Sequence, residues 1–166
     1  KVKESGRAAD AGVAKSRDAP LADGLKPGRA LFAYAPHADT FGYSMPPPGL
    51  LRLGGALERA GFSVELEDLA YRLGAGEVAG TDELAFSCAE LLLARGEFDV
   101  IGLSTMGATL PASVAIAEHL RARAPEVRIV LGGPGTTGVD RELLERFDWI
   151  DACVRGEGEV TVPELL

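Results

Sequence analysis

The chain has 166 residues, 46% hydrophobic and 25% charged, a balance that fits one globular domain and excludes disorder throughout. Its 17 basic and 25 acidic residues leave a formal charge of −8. The acidic excess lies beyond residue 29, which argues against nucleic-acid binding by the body of the chain. Cys88 and Cys153, the only two cysteines, cannot close a disulfide scaffold or a four-ligand zinc or iron–sulfur site, and read as reduced thiols of a cytoplasmic protein.

Residues 1–29 are polar, Ala/Gly-rich and net basic, too poor in large apolar side chains to offset the entropy of ordering. They are expected to form a flexible leader, with at most a weak helix over 7–17. The domain proper is expected over 30–166. Ala30 to Tyr34 reads as a buried strand, followed by a proline-rich loop over 35–48. Leu50, Leu51, Leu53, Leu57 and Ala60 share one helical face and Gly61 stops that helix. Gly54 and Gly55 inside it predict a close approach of helix to sheet. Phe62 to Leu66 alternates apolar and polar and reads as a second strand.

A start signal at Thr81-Asp82-Glu83 precedes helical spacing of Leu84, Cys88, Leu91 and Leu92, closed by Gly96. Val100 to Leu103 reads as a third strand. The uncharged run from Val100 to Ala117 has the length of a membrane span, but its Gly, Ser, Thr and Pro residues fit a strand, a turn and a helix running to about Ala124, and no membrane role is expected. Val127 to Leu131 is the fourth predicted strand. A helix capped by Asp140 follows, then a fifth strand over Ile150 to Val154. Thr161 to Glu164 opens a further helix that Leu166 interrupts, so the chain is expected to be a fragment of a longer polypeptide.

Five alternations of strand and helix leave no room for hairpins and require crossovers. The predicted fold is α/β: a five-stranded, parallel, doubly wound, Rossmann-like sheet of flavodoxin-like strand order. In such a sheet a ligand lies outside the carboxyl ends of the strands. That singles out four loops: 35–48, 104–110, 132–139 and 155–160. All four are rich in Gly, Pro, Ser and Thr, which suits close backbone approach and neutral hydrogen bonds rather than acid–base catalysis. A dinucleotide site is excluded because Tyr34 to Asp39 lacks G-x-G-x-x-G. A phosphate loop is excluded by motif and by the absence of lysine beyond Lys26. A phosphorelay receiver is excluded because Ser104 and Arg155 stand where an aspartate and a lysine would be needed.

Four segments instead resemble the cobalamin-binding domain that precedes the catalytic barrel of radical S-adenosylmethionine enzymes. They are Pro46-Pro47-Pro48-Gly49-Leu50-Leu51-Arg52-Leu53 through Leu66, Asp99-Val100-Ile101-Gly102-Leu103-Ser104-Thr105-Met106, Ile129-Val130-Leu131-Gly132-Gly133-Pro134, and Val154-Arg155-Gly156-Glu157-Gly158-Glu159 with Pro163 to Leu166 behind it. The resemblance implies cobalamin as cofactor, held by its nucleotide tail in a slot lined by small residues. Ser104, Thr105, Met106, Gly107 and Thr109 would flank the tail, with Gly132, Gly133 and Pro134 opposite. Gly156, Glu157, Gly158 and Glu159 would lie near the corrin edge or ribose; alternatively, Glu157 and Glu159 cap the following helix. A bulky residue at Gly133 is expected to abolish cobalamin binding and leave the domain folded.

Relatives of the methionine synthase type ligate cobalt through D-x-H-x-x-G in the first loop. Here His37 is followed by Asp39 and Gly42, position 35 is alanine and the spacing differs. A histidine-off site is therefore expected, with His37 the marginal candidate for cobalt. Tyr71 and Arg72 are further candidates for the lower corrin face, whereas His119 reads as a solvated helix residue. The resemblance further implies a downstream radical S-adenosylmethionine domain as partner, with an iron–sulfur cluster, S-adenosylmethionine and a small-molecule or peptide substrate. Methyl transfer to an unactivated carbon is the first expectation for the parent. The alternatives are a non-methylating rearrangement or cyclisation, or a degenerate domain that only packs against the barrel. The cluster motif C-x-x-x-C-x-x-C is not in this sequence, so catalysis is not expected of this segment alone.

Overall fold

The computed structural model describes residues 13–15, 28–36, 47–80 and 82–166. Its elements in chain order are β1 (Val13–Lys15), β2 (Arg29–Tyr34), α1 (Pro48–Arg59), β3 (Ser63–Asp68), α2 (Leu69–Gly74), α3 (Leu84–Leu93), β4 (Val100–Ser104), α4 (Leu110–Arg123), β5 (Arg128–Gly132), α5 (Asp140–Arg146), β6 (Ala152–Val154) and α6 (Gly158–Leu165). The sheet order is β1-β6-β5-β4-β2-β3. The strands β2 to β6 are mutually parallel and give the flavodoxin-like order expected from the sequence.

The strand β1 is an addition to the predicted five. It pairs antiparallel with β6, Val13 opposite Val154 and Lys15 opposite Ala152. The expected weak helix over 7–17 is therefore wrong at 13–15. The edge of β6 offers backbone partners to any short extended segment, whatever its side chains. The rest of the leader before Gly28, the tip of the first loop with His37, and Thr81 lie outside the described residues.

The parallel strands β2, β4, β5 and β6 are buried on both faces, as crossover connections require. On one face Leu31, Ala33, Ile101, Leu103, Ile129, Leu131 and Cys153 pack under helices α2 to α5. On the other, Ala30, Phe32, Val100, Val130, Ala152 and Val154 pack under α1 and α6 alone, through Leu50, Leu57, Val162 and Leu165. Pro47 and Pro48 set the entry of α1. Pro48 occupies its first turn, where a missing N–H costs nothing, and the Pro47 carbonyl accepts from Leu50 N at 3.0 Å. Gly54 brings α1 onto β3, since a Cβ there would stand 3.1 Å from a Leu66 methyl; Gly55 meets only the Arg59 side chain.

The edge strand β3 turns Glu65 and Glu67 to a ladder of arginines. Glu65 bridges Arg29 and Arg95, and Glu67 bridges Arg95 and Arg72. The Arg95 and Arg29 guanidiniums hold the Glu65 carboxyl below its ordinary 4.5. A depressed carboxyl stabilises the fold above its unfolded-state pKa and loses that contribution as pH falls through the folded-state value. Glu65→Gln is therefore expected to flatten the loss of thermal stability below pH 4.5, measured as Tm against pH in both proteins.

Both thiols lie in the core, as their spacing predicts. Burial pushes Cys88 up to about 11 and, with the nearby Asp140 carboxylate, pushes Cys153 up to about 12. Neither forms the reactive thiolate near neutral pH. Alkylation at pH 8 is expected to leave both unmodified in the native chain and to label both in denaturant, read by intact mass.

Candidate functional site

The chain order places the reversal of winding between β2 and β4, where β3 departs to one side and β4, β5 and β6 to the other. A cleft of ≈ 240 Å³ opens there. Phe32, Val130 and Val154 form its floor, Gly49, Leu50 and Leu53 of α1 one side, and Gly156 to Glu159 with Val162 the other. Ser104, Gly132, Gly133 and Pro134 complete it.

The floor depends on one glycine. Phe32 on β2 stands in register with Gly102 on β4, and a Cβ at Gly102 would meet the Phe32 ring at 2.1 Å. The missing side chain lets the ring lie across the sheet. Tyr34, Ser104 and Gly132 then end their strands in register.

The Gly-Gly-Pro turn is folded against the loop after β4. Gly133 has φ +94°, and a Cβ there would stand 2.5 Å from the Thr105 carbonyl oxygen. A Cβ at Gly135 would stand 2.6 Å from Met106 O. Thr105 N donates to Gly132 O at 2.7 Å and Gly135 N donates to Thr105 O at 3.0 Å. The loops are thus laced through backbone at a separation that only glycine permits.

This corrects the expectation for Gly133. A side chain there meets backbone before it meets a ligand. Gly133→Ala is expected to destabilise the domain by about 2–4 kcal/mol, from strain at a glycine-only conformation plus the collision. Urea unfolding of the two proteins checks it, and an unchanged midpoint would refute the close approach.

Of the residues singled out from sequence, Ser104, Gly132, Gly133, Pro134, Gly156, Glu157, Gly158 and Glu159 come together around the cleft. Thr105, Met106, Gly107 and Thr109 do not line it. Thr105 and Thr109 are buried, and their hydroxyls serve the loop itself: Thr105 Oγ1 donates to Gly132 O at 3.1 Å, and Thr109 Oγ1 accepts from Met106 N at 2.8 Å. Met106 and Gly107 are exposed on the same turn. Glu157 precedes α6 without a side-chain cap bond; only its carbonyl accepts, from Val160 N and Thr161 N. Its carboxylate stands exposed at the rim. Glu159, in the first turn of α6, pairs with Arg52 of α1 at 2.8 Å, across the two helices that flank the cleft.

Arg72 is committed to Glu67 and Glu77, whereas Tyr71 lines a separate depression with Pro47, Leu51, Leu66 and Asp68. His119 meets Phe86 edge-on, ring centroids 5.8 Å apart. Sequence reasoning missed Phe32, Leu50, Leu53, Val154 and Val162 as site residues. The first four read as parts of apolar strands or a helical face and Val162 as part of a helix start, and all but Leu53 are buried core; the site is where the core stays uncovered. Among the described residues no helix is long and apolar enough to cross a membrane.

The apolar floor and glycine-rich sides, with Glu157 and Glu159 at the rim, fit the nucleotide tail of cobalamin. The apolar floor accepts a flat base, and Gly49, Gly132 and Gly158 leave room at its sides, since Cβ atoms at these positions would meet nothing closer than 3.6 Å. Among the described residues no lysine or arginine lines the cleft, which disfavours a site built for a terminal phosphate.

Comparison with known proteins agrees. The chain is 36% identical over 123 residues to the anaerobic magnesium-protoporphyrin IX monomethyl ester cyclase of Synechocystis sp., matching 74% of this chain and 23% of that protein. It is 29% identical over 123 residues to the hopanoid C-3 methylase of Methylococcus capsulatus, matching 74% and 22%. The fold matches the radical S-adenosylmethionine methyltransferase TsrM from Kitasatospora setae with TM-score 0.61 and 22% identity, over 82% of this chain and 24% of that one. The chain therefore spans under a quarter of the length of each of these proteins. Residues 36–166 match the B12 binding domain family, and the chain belongs to that family.

Proposed function

We propose that this chain holds cobalamin for a larger radical S-adenosylmethionine enzyme, with the nucleotide tail in the cleft between α1 and α6. The observation that carries the reading is the cleft itself. It sits at the winding reversal, has an apolar floor, and is widened by glycines whose side-chain positions are open. Phe32, Val130 and Val154 would pack on the base, while Ser104 and the backbone of Gly156 to Gly158 would meet the polar atoms beside it. Bound methylcobalamin supplies a transferable methyl group. The chain's own residues bind, orient and exclude water; the carboxylates at the rim are Glu157, exposed, and Glu159, ion-paired.

For the parent, methyl transfer is the first reading, supported by the hopanoid C-3 methylase and by the solved methyltransferase, whose structure with cobalamin and a [4Fe-4S] cluster shares this fold at TM-score 0.53. Ring closure is the second, favoured by the higher identity, 36%, to a cyclase.

The test is to incubate the purified chain with hydroxocobalamin, desalt it and record its absorbance. Near-stoichiometric corrin supports the reading. A colourless chain with native circular dichroism overturns it in favour of a domain that only packs against its partner.

A further inference from the structure

Asp140 and Arg155 flank the cleft without lining it. Asp140 opens α5 and is 5% exposed. Arg155 follows β6 directly. Its Nε donates to Asp140 Oδ2 at 2.9 Å, and its second guanidinium nitrogen stands 2.8 Å from the same oxygen. The sequence reads Asp140 as a helix cap, but α5 begins without any side-chain cap bond and the carboxylate is given to Arg155 instead.

The pair joins two walls. Asp140 ends the segment that starts with the Gly132–Pro134 wall, and Arg155 starts the Gly156–Glu159 wall. The second wall is anchored at its far end by α6, which packs on the sheet through Val162 and Leu165, but its lead-in at Gly156 and Glu157 has few side-chain ties. Gly156 sits at φ +73°, Glu157 makes no cap bond, and Glu159 is tied only to Arg52, whose side chain is 72% exposed. Exposed ion pairs contribute little. In the Asp140–Arg155 pair the carboxylate is buried while the guanidinium is 38% exposed, and two guanidinium nitrogens held on one carboxylate oxygen fix geometry because they tolerate few arrangements.

We propose that Asp140 and Arg155 are positioning residues that set the separation of the two walls, and thereby the affinity of the cleft for cobalamin; the second half rests on the function proposed above. Breaking the pair frees the 155–159 loop and leaves the sheet intact.

The experiment compares the 166-residue chain with its Arg155→Met, Arg155→Lys and Asp140→Asn variants, well below their unfolding temperatures. The first measurement is amide hydrogen exchange without ligand. Arg155→Met is expected to speed exchange at 156–160 at least tenfold and leave β4 and β5 unchanged. The second is the Kd for hydroxocobalamin. Arg155→Met and Asp140→Asn are expected to weaken it by roughly tenfold to a hundredfold, the order found when a group that orients a binding element is removed. Arg155→Lys, which keeps the charge but not the fork of donors, is expected to fall between. Should Arg155→Met fail to fold, Arg155→Lys carries both measurements.

Unchanged exchange at 156–160 in a folded variant overturns the proposal. So does faster exchange spread evenly over the sheet, which would mark the pair as a general stabiliser. Faster local exchange with unchanged Kd overturns the link to affinity. If the unsubstituted chain takes up no cobalamin, the functional reading fails, and the exchange result still decides whether the pair sets the wall.

Discussion

Gly132→Leu is expected to weaken cobalamin binding by roughly fivefold to 150-fold while the domain stays folded. Gly132 ends β5 on the side that faces α1 and α6, and a Cβ there would meet Val154 Cβ at 3.6 Å, an ordinary contact. No positive φ constrains it. The larger side chain would therefore extend over the cleft floor without disturbing backbone. Forcing a group against such a filled slot costs about 1–3 kcal/mol, which sets the range. Replacing glycine in a strand end also narrows the unfolded ensemble, so Tm should hold or rise slightly. Equilibrium titration with hydroxocobalamin and a thermal melt read the two effects separately. Wild-type affinity in Gly132→Leu would show that the cobalamin tail lies elsewhere. The contrast with Gly133 is informative: adjacent glycines, one facing a ligand slot and the other wedged against the Thr105 carbonyl.

Glu67→Ala is expected to destabilise the domain by about 1.5–3 kcal/mol, the order of losing charge-assisted hydrogen bonds to a buried carboxylate whose arginine partners keep other carboxylates. For a chain of this size that lowers Tm by roughly 5–10 °C. The Glu67 side chain is 5% exposed and accepts from Arg72 Nε at 2.9 Å, Arg95 at 2.7 Å and the Asp68 amide at 3.1 Å. Its loss leaves Arg72 to Glu77 and Arg95 to Glu65. Glu65→Ala, in the more exposed half of the ladder, should cost far less, because solvent already screens its partners. Chemical denaturation of both variants ranks them, and equal midpoints would contradict the burial argument.

The parallel core was legible because burial on both faces writes continuous apolar runs into the sequence, as in Ala30–Tyr34 and Val100–Leu103. Connection lengths then dictated crossovers and strand order. The helix α2 escaped because six residues, Leu69–Gly74, are too few to show a period. It forms because the Asp68 side chain accepts from Tyr71 N at 3.0 Å and caps it. The strand β1 escaped because an edge pairing is made by backbone, to which Val13-Ala14-Lys15 contributes no pattern.

Within the site, the turns were visible through their glycines, but the destinations of hydroxyls were not. Thr105 and Thr109 have the residue types of a polar pocket and spend them on their own loop. The floor was hidden for the opposite reason. Phe32, Val130 and Val154 alternate as any core strand does, and nothing local says that the covering helices part above them. The Asp140–Arg155 pair spans the turn, α5 and β6, a separation across which sequence patterns carry no pairing information.

Among the described residues the sheet ends on one side in β1, three residues long, and on the other in β3, whose Glu65 and Glu67 are paired with arginines. A short margin and a charged one each deny a register to an incoming strand. The chain is thereby protected from aggregating by strand addition, even though its parallel core is made of segments that would pair readily if exposed.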